Sequence, residues 1–291
     1  MATLDRRVFN PGISDTLALA VFPGSSHGIV SFTSFSGSRR GGFLELFAIN
    51  PTTGTTAALA EQTVFSGTGS LDNKVTALSR NTFVVAYREP TGTSYMQPGS
   101  FSASSTSGTI TMGTRRVRAS GEGLAFRLAD HRYFTLIRSG PSLSLKVCEC
   151  TPDGLSETCG VPQEMATDYN SGLCYDTMSA TTIMVLYTST SGLSKAVVVE
   201  LELFGTNAAT IHSDLPINGP YMDSDYYGSC VALSPNVMVF GGQYRCVHAP
   251  HPARMPMRYI RVQKGVSPRL LLALAGSIGP PSRTLPILRG P

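Results

Sequence analysis

Carboxylates and tyrosines come together at two points of the chain, Asp168-Tyr169-Asn170 and Asp223-Ser224-Asp225-Tyr226-Tyr227. Acids beside phenols suit the binding of a sugar or a cationic peptide, or a weakly held calcium ion. Asp and Asn are equally the ordinary residues of tight turns. With Asp176, these acids are also the one carboxylate set that a glycosidase or lyase would draw on, and such chemistry needs two carboxyls about 5–10 Å apart. Asp168, Tyr169, Asp223, Asp225, Tyr226 and Tyr227 are therefore the candidate binding residues. No residue is assigned a catalytic role, and no cofactor is expected.

Other groupings carry less. Cys246-Val247-His248-Ala249-Pro250-His251 places three soft ligands, Cys246, His248 and His251, within six residues. Zinc needs three or four that converge, and no second cluster lies nearby in sequence, so these read as incidental. Gly24-Ser25-Ser26-His27-Gly28 fits the Gly-x-Ser-x-Gly elbow of hydrolases, a motif that requires a strand-to-helix turn. Strands flank it here and no helix follows, which makes it a hairpin turn. Arg39-Arg40 and Arg115-Arg116-Val117-Arg118 read as solvated basic spots. Of six cysteines, Cys150 and Cys159 flank a Pro152-Asp153-Gly154 turn and are placed to face each other across a hairpin as a disulfide.

The elements that must position these residues declare themselves by repetition. Leu78-Ser79-Arg80-Asn81 leads into Thr82-Phe83-Val84-Val85-Ala86-Tyr87. The same turn-then-apolar phrase returns at Leu128–Ile137, Met178–Tyr187 and Leu233–Phe240. A period near 50 built of short strands marks stacked β units, above all propeller blades. The apolar runs are consecutive rather than alternating, as in strands covered on both faces. The reading is all-β: a β-propeller of four-stranded antiparallel blades over residues 1–264, with units starting near 15, 71, 124, 173 and 223. Five blades are expected; the alternative is an open fragment of a larger ring. Asp5-Arg6-Arg7-Val8 matches Thr114-Arg115-Arg116-Val117 in position before a unit, so residues 4–12 are expected to complete the last blade and leave no open edge. Residues 265–291, rich in Pro and Arg, are expected to be irregular or disordered.

The small residues, the short strand ending Ala-Leu, the Ser-x-Asn turn and Phe-Val-Val-Ala-Tyr together resemble the tandem ~50-residue propeller-like repeats of largely uncharacterised algal and protist proteins. The resemblance spans about residues 5–245. It implies a propeller and brings no catalytic residues with it. Trp-Asp and Asp-box signatures are missing from a chain that has no Trp.

Charge narrows the partners. The net +4 is segregated: all 19 acids lie at or before Asp225, and residues 226–291 hold eight Lys and Arg. Residues 1–225 therefore carry 15 minus 19, or −4. Only the tail suits nucleic acid. No secretory signal is visible at the polar start, which points to a cytoplasmic or unassigned location, and the nine-residue apolar run Leu270–Ile278 is far short of the ~20 a spanning helix needs. The expected function is a binding or scaffold module presenting inter-blade loops to a protein or carbohydrate. Alternatives are a glycoside hydrolase or lyase using carboxylates at the channel mouth, and a non-catalytic fragment of a longer repeat protein.

Overall fold

The computed structural model describes residues 17–34, 41–59, 63–66, 71–201, 209–216, 229–234, 237–241, 243–244, 253–254, 258–261 and 271–273. Every regular element among them is a strand, and their pairings are antiparallel. The protein is all-β. The N-terminal segment 4–12 lies outside the described residues.

Among the described residues five sheets of four or five strands follow one another along the chain, each built from one stretch of sequence. The first holds β1 (Leu17–Val21), β2 (His27–Ser34), β3 (Gly41–Ile49), β4 (Thr56–Ala58) and β5 (Thr63–Ser66). The second holds β6 (Leu71–Ala77), β7 (Thr82–Arg88), β8 (Ser94–Ala103), β9 (Gly108–Met112) and β10 (Arg116–Val117). The third holds β11 (Phe126–Ala129), β12 (Arg132–Ser139), β13 (Ser142–Cys150), β14 (Glu157–Cys159) and β15 (Gln163–Ala166). The fourth runs β16 (Tyr169–Ser179), β17 (Thr182–Ser189), β18 (Ser194–Leu201) and β19 (Ala209–Pro216). The fifth holds β20 (Ser229–Ser234), β21 (Val237–Gly241), β24 (Arg258–Arg261) and β25 (Leu271–Ala273), and a two-stranded ribbon of β22 (Gln243–Tyr244) and β23 (Ala253–Arg254) interrupts it.

In each of the first three sheets the outermost position is filled twice. β4 and β5 pair with opposite ends of β3, β9 and β10 with β8, and β14 and β15 with β13. β5, β10 and β15 are the segments that precede the next sheet, at the place where the sequence pattern puts an outer strand. The chain folds into two compact units, one containing β1–β15 and the other β16–β25.

Within the first unit the middle sheet is covered on both faces, which explains its unbroken apolar run. Phe83, Val85 and Tyr87 of β7 join Phe22, Ile29, Leu44 and Leu46 of the first sheet in one core. Val84 and Ala86 point the other way and pack with Tyr133, Cys148 and Cys150 of the third. Val30, Phe32, Phe43 and Phe47 form a further buried cluster within the first sheet. Polar ties reinforce this stacking. Asn73 Nδ2 donates to Thr33 Oγ1 (2.9 Å) between the first two sheets. Thr76 Oγ1 donates to Ala125 O (2.9 Å), Arg127 Nε donates to Leu78 O (2.7 Å), and Thr82 Oγ1 meets His131 Nδ1 (3.2 Å) between the second and third. These last three ties each link residues 49 apart, so the sequence period is written into the bonding.

In the second unit Ile183, Met184, Val185, Leu186 and Tyr187 of β17 are all fully buried. Asp176 on β16 accepts from Ala232 N of β20 (2.7 Å), which joins the fourth sheet to the fifth. β25 falls inside the 265–291 stretch expected to be irregular and pairs with β24 through Tyr259–Ala273, Ile260–Leu272 and Arg261–Leu271. It occupies the proline-free run between Pro268 and Pro280, where every residue keeps the N–H that a sheet ladder requires.

Candidate functional site

Asp168 and Tyr169 stand at the entrance to β16, and their environment is fully committed. Asp168 Oδ1 accepts from the Tyr187 hydroxyl (3.0 Å), and its Oδ2 pairs with Lys195 Nζ (2.8 Å). Its carbonyl accepts from Thr190 N (2.7 Å). Burial opposes the charge, but the Lys195 ammonium and the Tyr187 hydroxyl outweigh it and hold the carboxyl below its ordinary range. Tyr169 is buried and tilted against Tyr187, ring centroids 6.1 Å apart. Asp168 thus satisfies the hydroxyl of a core tyrosine. Asp176 lies eight residues further on, within β16, with its oxygens taken by Thr177 N and Ala232 N, partners it does not share with Asp168. These two acids are not a carboxylate pair. Asp223, Asp225, Tyr226, Tyr227, Cys246, His248 and His251 lie outside the described residues.

The hairpin disulfide joins different residues from those the turn suggested. Cys148 bonds Cys159, and Cys150 is a free, buried thiol. The register gives the reason: β13 and β14 align Cys148 with Cys159, Glu149 with Thr158 and Cys150 with Glu157. The loop closes tighter than a Cys150–Cys159 pairing would need, because Thr151 and Asp153 bond inside it. Thr151 N donates to Ser156 O (3.0 Å), and Leu155 N donates to Asp153 Oδ1 (3.0 Å). Cys174 is also disulfide-bonded. Burial, then the carboxylates of Glu157 and Glu149, push the Cys150 thiol up to about 12, so it is no nucleophile at neutral pH.

Arg116, taken from the sequence as one of several solvated basic residues, is instead the centre of the most elaborate polar cluster among the described residues. Its guanidinium grips Glu122 with two bonds of 3.0 Å and donates from Nε to Glu157 Oε1 (2.6 Å). Glu122 also accepts from Ala119 N (2.8 Å), Thr135 Oγ1 (3.1 Å) and Lys146 Nζ (3.3 Å). Tyr133 OH donates to Glu157. Burial works against the charge of both Arg116 and Glu122, yet their mutual bonds prevail: the guanidinium pKa is raised and the carboxyl lowered. Burial, then Glu157, drives the Tyr133 phenol well above its usual value.

Backbone features set this geometry. β10 pairs Arg116 with Met96 of the second sheet, and Thr114 N donates to Leu155 O (2.9 Å) of the β13–β14 loop. Gly121 has φ +74°, and a Cβ there would lie 1.9 Å from Arg138 O. Only glycine lets the chain turn beside β12 and present Glu122 to Arg116. Arg115 is engaged too, with Glu89 (3.0 Å) and over the Tyr95 ring (4.4 Å). The sequence gives no sign of these pairings, since each depends on which outer strand faces which neighbouring sheet. Cys148, Glu157 and Cys159 bring ligand atoms within 4.8 Å of one another. The two sulfurs are bonded to each other and Glu157 is held by Arg116 and Tyr133, so this set does not suit a metal.

A concavity of the first unit lies elsewhere, where the β1–β2, β3–β4 and β8–β9 turns come together. It is a cleft of about 620 Å³ whose lining includes Ser26, His27, Asn50, Thr55 and Ser105. His27 Nδ1 and Ser25 Oγ are 2.7 Å apart, and the ring lies 5.5 Å from that of Phe101. Ser25 rather than Ser26, the central serine of the Gly-x-Ser-x-Gly match, meets the imidazole. Gly24 takes φ +62° in an ordinary hairpin turn between β1 and β2, so the segment is not a nucleophile elbow.

No protein-family model matches this sequence, and a search of curated proteins finds no match.

Proposed function

We propose that the chain is a binding or scaffold module, a five-bladed β-propeller that presents its turns and inter-blade loops to a protein or carbohydrate partner. The carrying observation is that the two charged clusters described above, around Arg116 and around Asp168, are spent on internal contacts. Arg116, Glu122, Glu157 and Tyr133 lock the second sheet to the third, and Asp168, Lys195 and Tyr187 close on themselves. An enzyme keeps its acid, base or nucleophile facing a cavity at a poised pKa. A rigid display scaffold has no such need.

Support for the propeller comes from the serial antiparallel sheets of four or five strands, the doubly covered β7, and the ties at one repeat's spacing. Limited proteolysis of the full chain with intact-mass readout tests this. A single resistant core that retains β24 and β25 is expected for a closed ring, whereas cutting at every sheet-to-sheet connection alike would overturn it. Screens of the full chain against glycan and peptide arrays test the binding role, and binding to neither counts against it.

A further inference from the structure

We infer that the cleft between the β1–β2, β3–β4 and β8–β9 turns is a saccharide site, built for an uncharged, polyhydroxylated ligand. The inference rests on the binding-module reading and gives it a location and a ligand class.

Four observations carry it. The cleft's volume, about 620 Å³, is that of ordinary small-ligand sites. Among the described residues its lining holds no Asp, Glu, Lys or Arg, so it offers no fixed charge to pair with a phosphate, a carboxylate or an ammonium group. What it offers are hydroxyls, an amide and an imidazole, which are the complements of sugar hydroxyls because they both donate and accept.

Two of those groups are fixed in advance. Asn50 Oδ1 accepts from Thr52 N (2.9 Å) and Thr53 N (3.1 Å), which pins the side chain and leaves its NH2 as the donor. His27 is held through Nδ1 by Ser25 Oγ (2.7 Å) and leans on Phe101. Donors already immobilised lose little further entropy when they bind. Apolar surface from Ile49, Pro51 and Ala57 adjoins them and suits the C–H face of a pyranose. A peptide would need a free strand edge or a deep apolar pocket to anchor it, and the cleft's small aliphatic and hydroxyl side chains supply no aromatic or long-chain pocket.

The test is titration calorimetry of the full chain against purified neutral hexasaccharides of glucose, mannose, galactose and xylose, with sulfated and uronic-acid oligosaccharides alongside. Asn50→Asp keeps the oxygen that accepts from Thr52 and Thr53 and replaces the NH2 donors by a carboxylate. Ser105→Trp fills the cleft from its exposed rim. At least one neutral hexasaccharide is expected to bind, and each variant is expected to weaken it by roughly tenfold or more, the value of one lost directional bond. The thermal midpoint of both variants is expected to match the parent. A neutral sugar that binds both variants with parental affinity would overturn the cleft assignment and leave the binding-module reading standing. Binding of charged oligosaccharides or array peptides, with no neutral sugar bound, would overturn the ligand class alone. Silence in every screen would overturn both readings.

Discussion

Glu122 shows how much one buried carboxylate organises. Its side chain is wholly inaccessible, yet it takes bonds from Arg116, Lys146, Thr135 and the backbone of Ala119. Removing one partner of such a set strands the other charge. Glu122→Ala is expected to destabilise the protein by about 3 kcal/mol, the lower end of the buried-pair range because Arg116 keeps some exposure, read from urea unfolding. The pH dependence has a defined sign. A carboxyl whose folded pKa lies below its unfolded one contributes fully above the unfolded value, about 4.3 for Glu, and loses that contribution as pH falls through the folded value. Burial raises the Glu122 pKa, but Arg116 and its other donors lower it further; Asp168 shifts down in the same way against Lys195. Thermal midpoints are therefore expected to fall steeply below about pH 4, and Glu122→Gln is expected to flatten that fall. An unchanged acid limb in Glu122→Gln would place the cluster's titration elsewhere.

At the scale of elements, the strand type was legible and the pairing was not. Thr82–Arg88 reads directly as a strand because six consecutive apolar or β-branched residues precede Arg88. The two covered faces of the middle sheet give a double expectation: Phe83→Ala in β7, packed toward the first sheet, and Leu78→Ala just after β6, packed toward the third, cost about 3–5 and 2–5 kcal/mol respectively. Thr111→Ala, at an exposed position of β9, stays within about 0.5 kcal/mol. Equal, small losses at all three would deny the sandwich. The cysteine pairing was misread by two residues because hairpin register is set by loop hydrogen bonds, here those of Thr151 and Asp153, which spacing alone does not reveal. Closing the Cys148–Cys159 loop, eleven residues apart, is worth about 3 kcal/mol by chain entropy. Cys148→Ser with Cys159→Ser is expected to lower stability by that order, whereas Cys150→Ser leaves one alkylatable thiol fewer after unfolding and the disulfide intact by mass.

At the scale of the molecule, the period near 50 was the most informative property of the sequence, because sheets begin at Leu17, Leu71, Phe126, Tyr169 and Ser229. Candidate sites were far less legible. Asp168 and Tyr169 carry the composition of a binding loop, yet serve Tyr187 and Lys195; the cleft of Ser26, Asn50 and Ser105 assembles from three turns that together span about 80 residues of sequence, each unremarkable by itself. Far-UV circular dichroism of the full chain is expected to show a β-type minimum without the helical double minimum. A helical signature would contradict the all-strand architecture.

The two-piece rim of the first three sheets has a bearing on how such a chain can vary. The links between β4 and β5 and between β14 and β15 interrupt pairing that is already discontinuous, so extra residues inserted there break no ladder and add only the slow logarithmic cost of a longer loop. These junctions are the places where a grafted epitope or a lengthened loop is tolerated, and where related chains can diverge in length while their inner strands keep step.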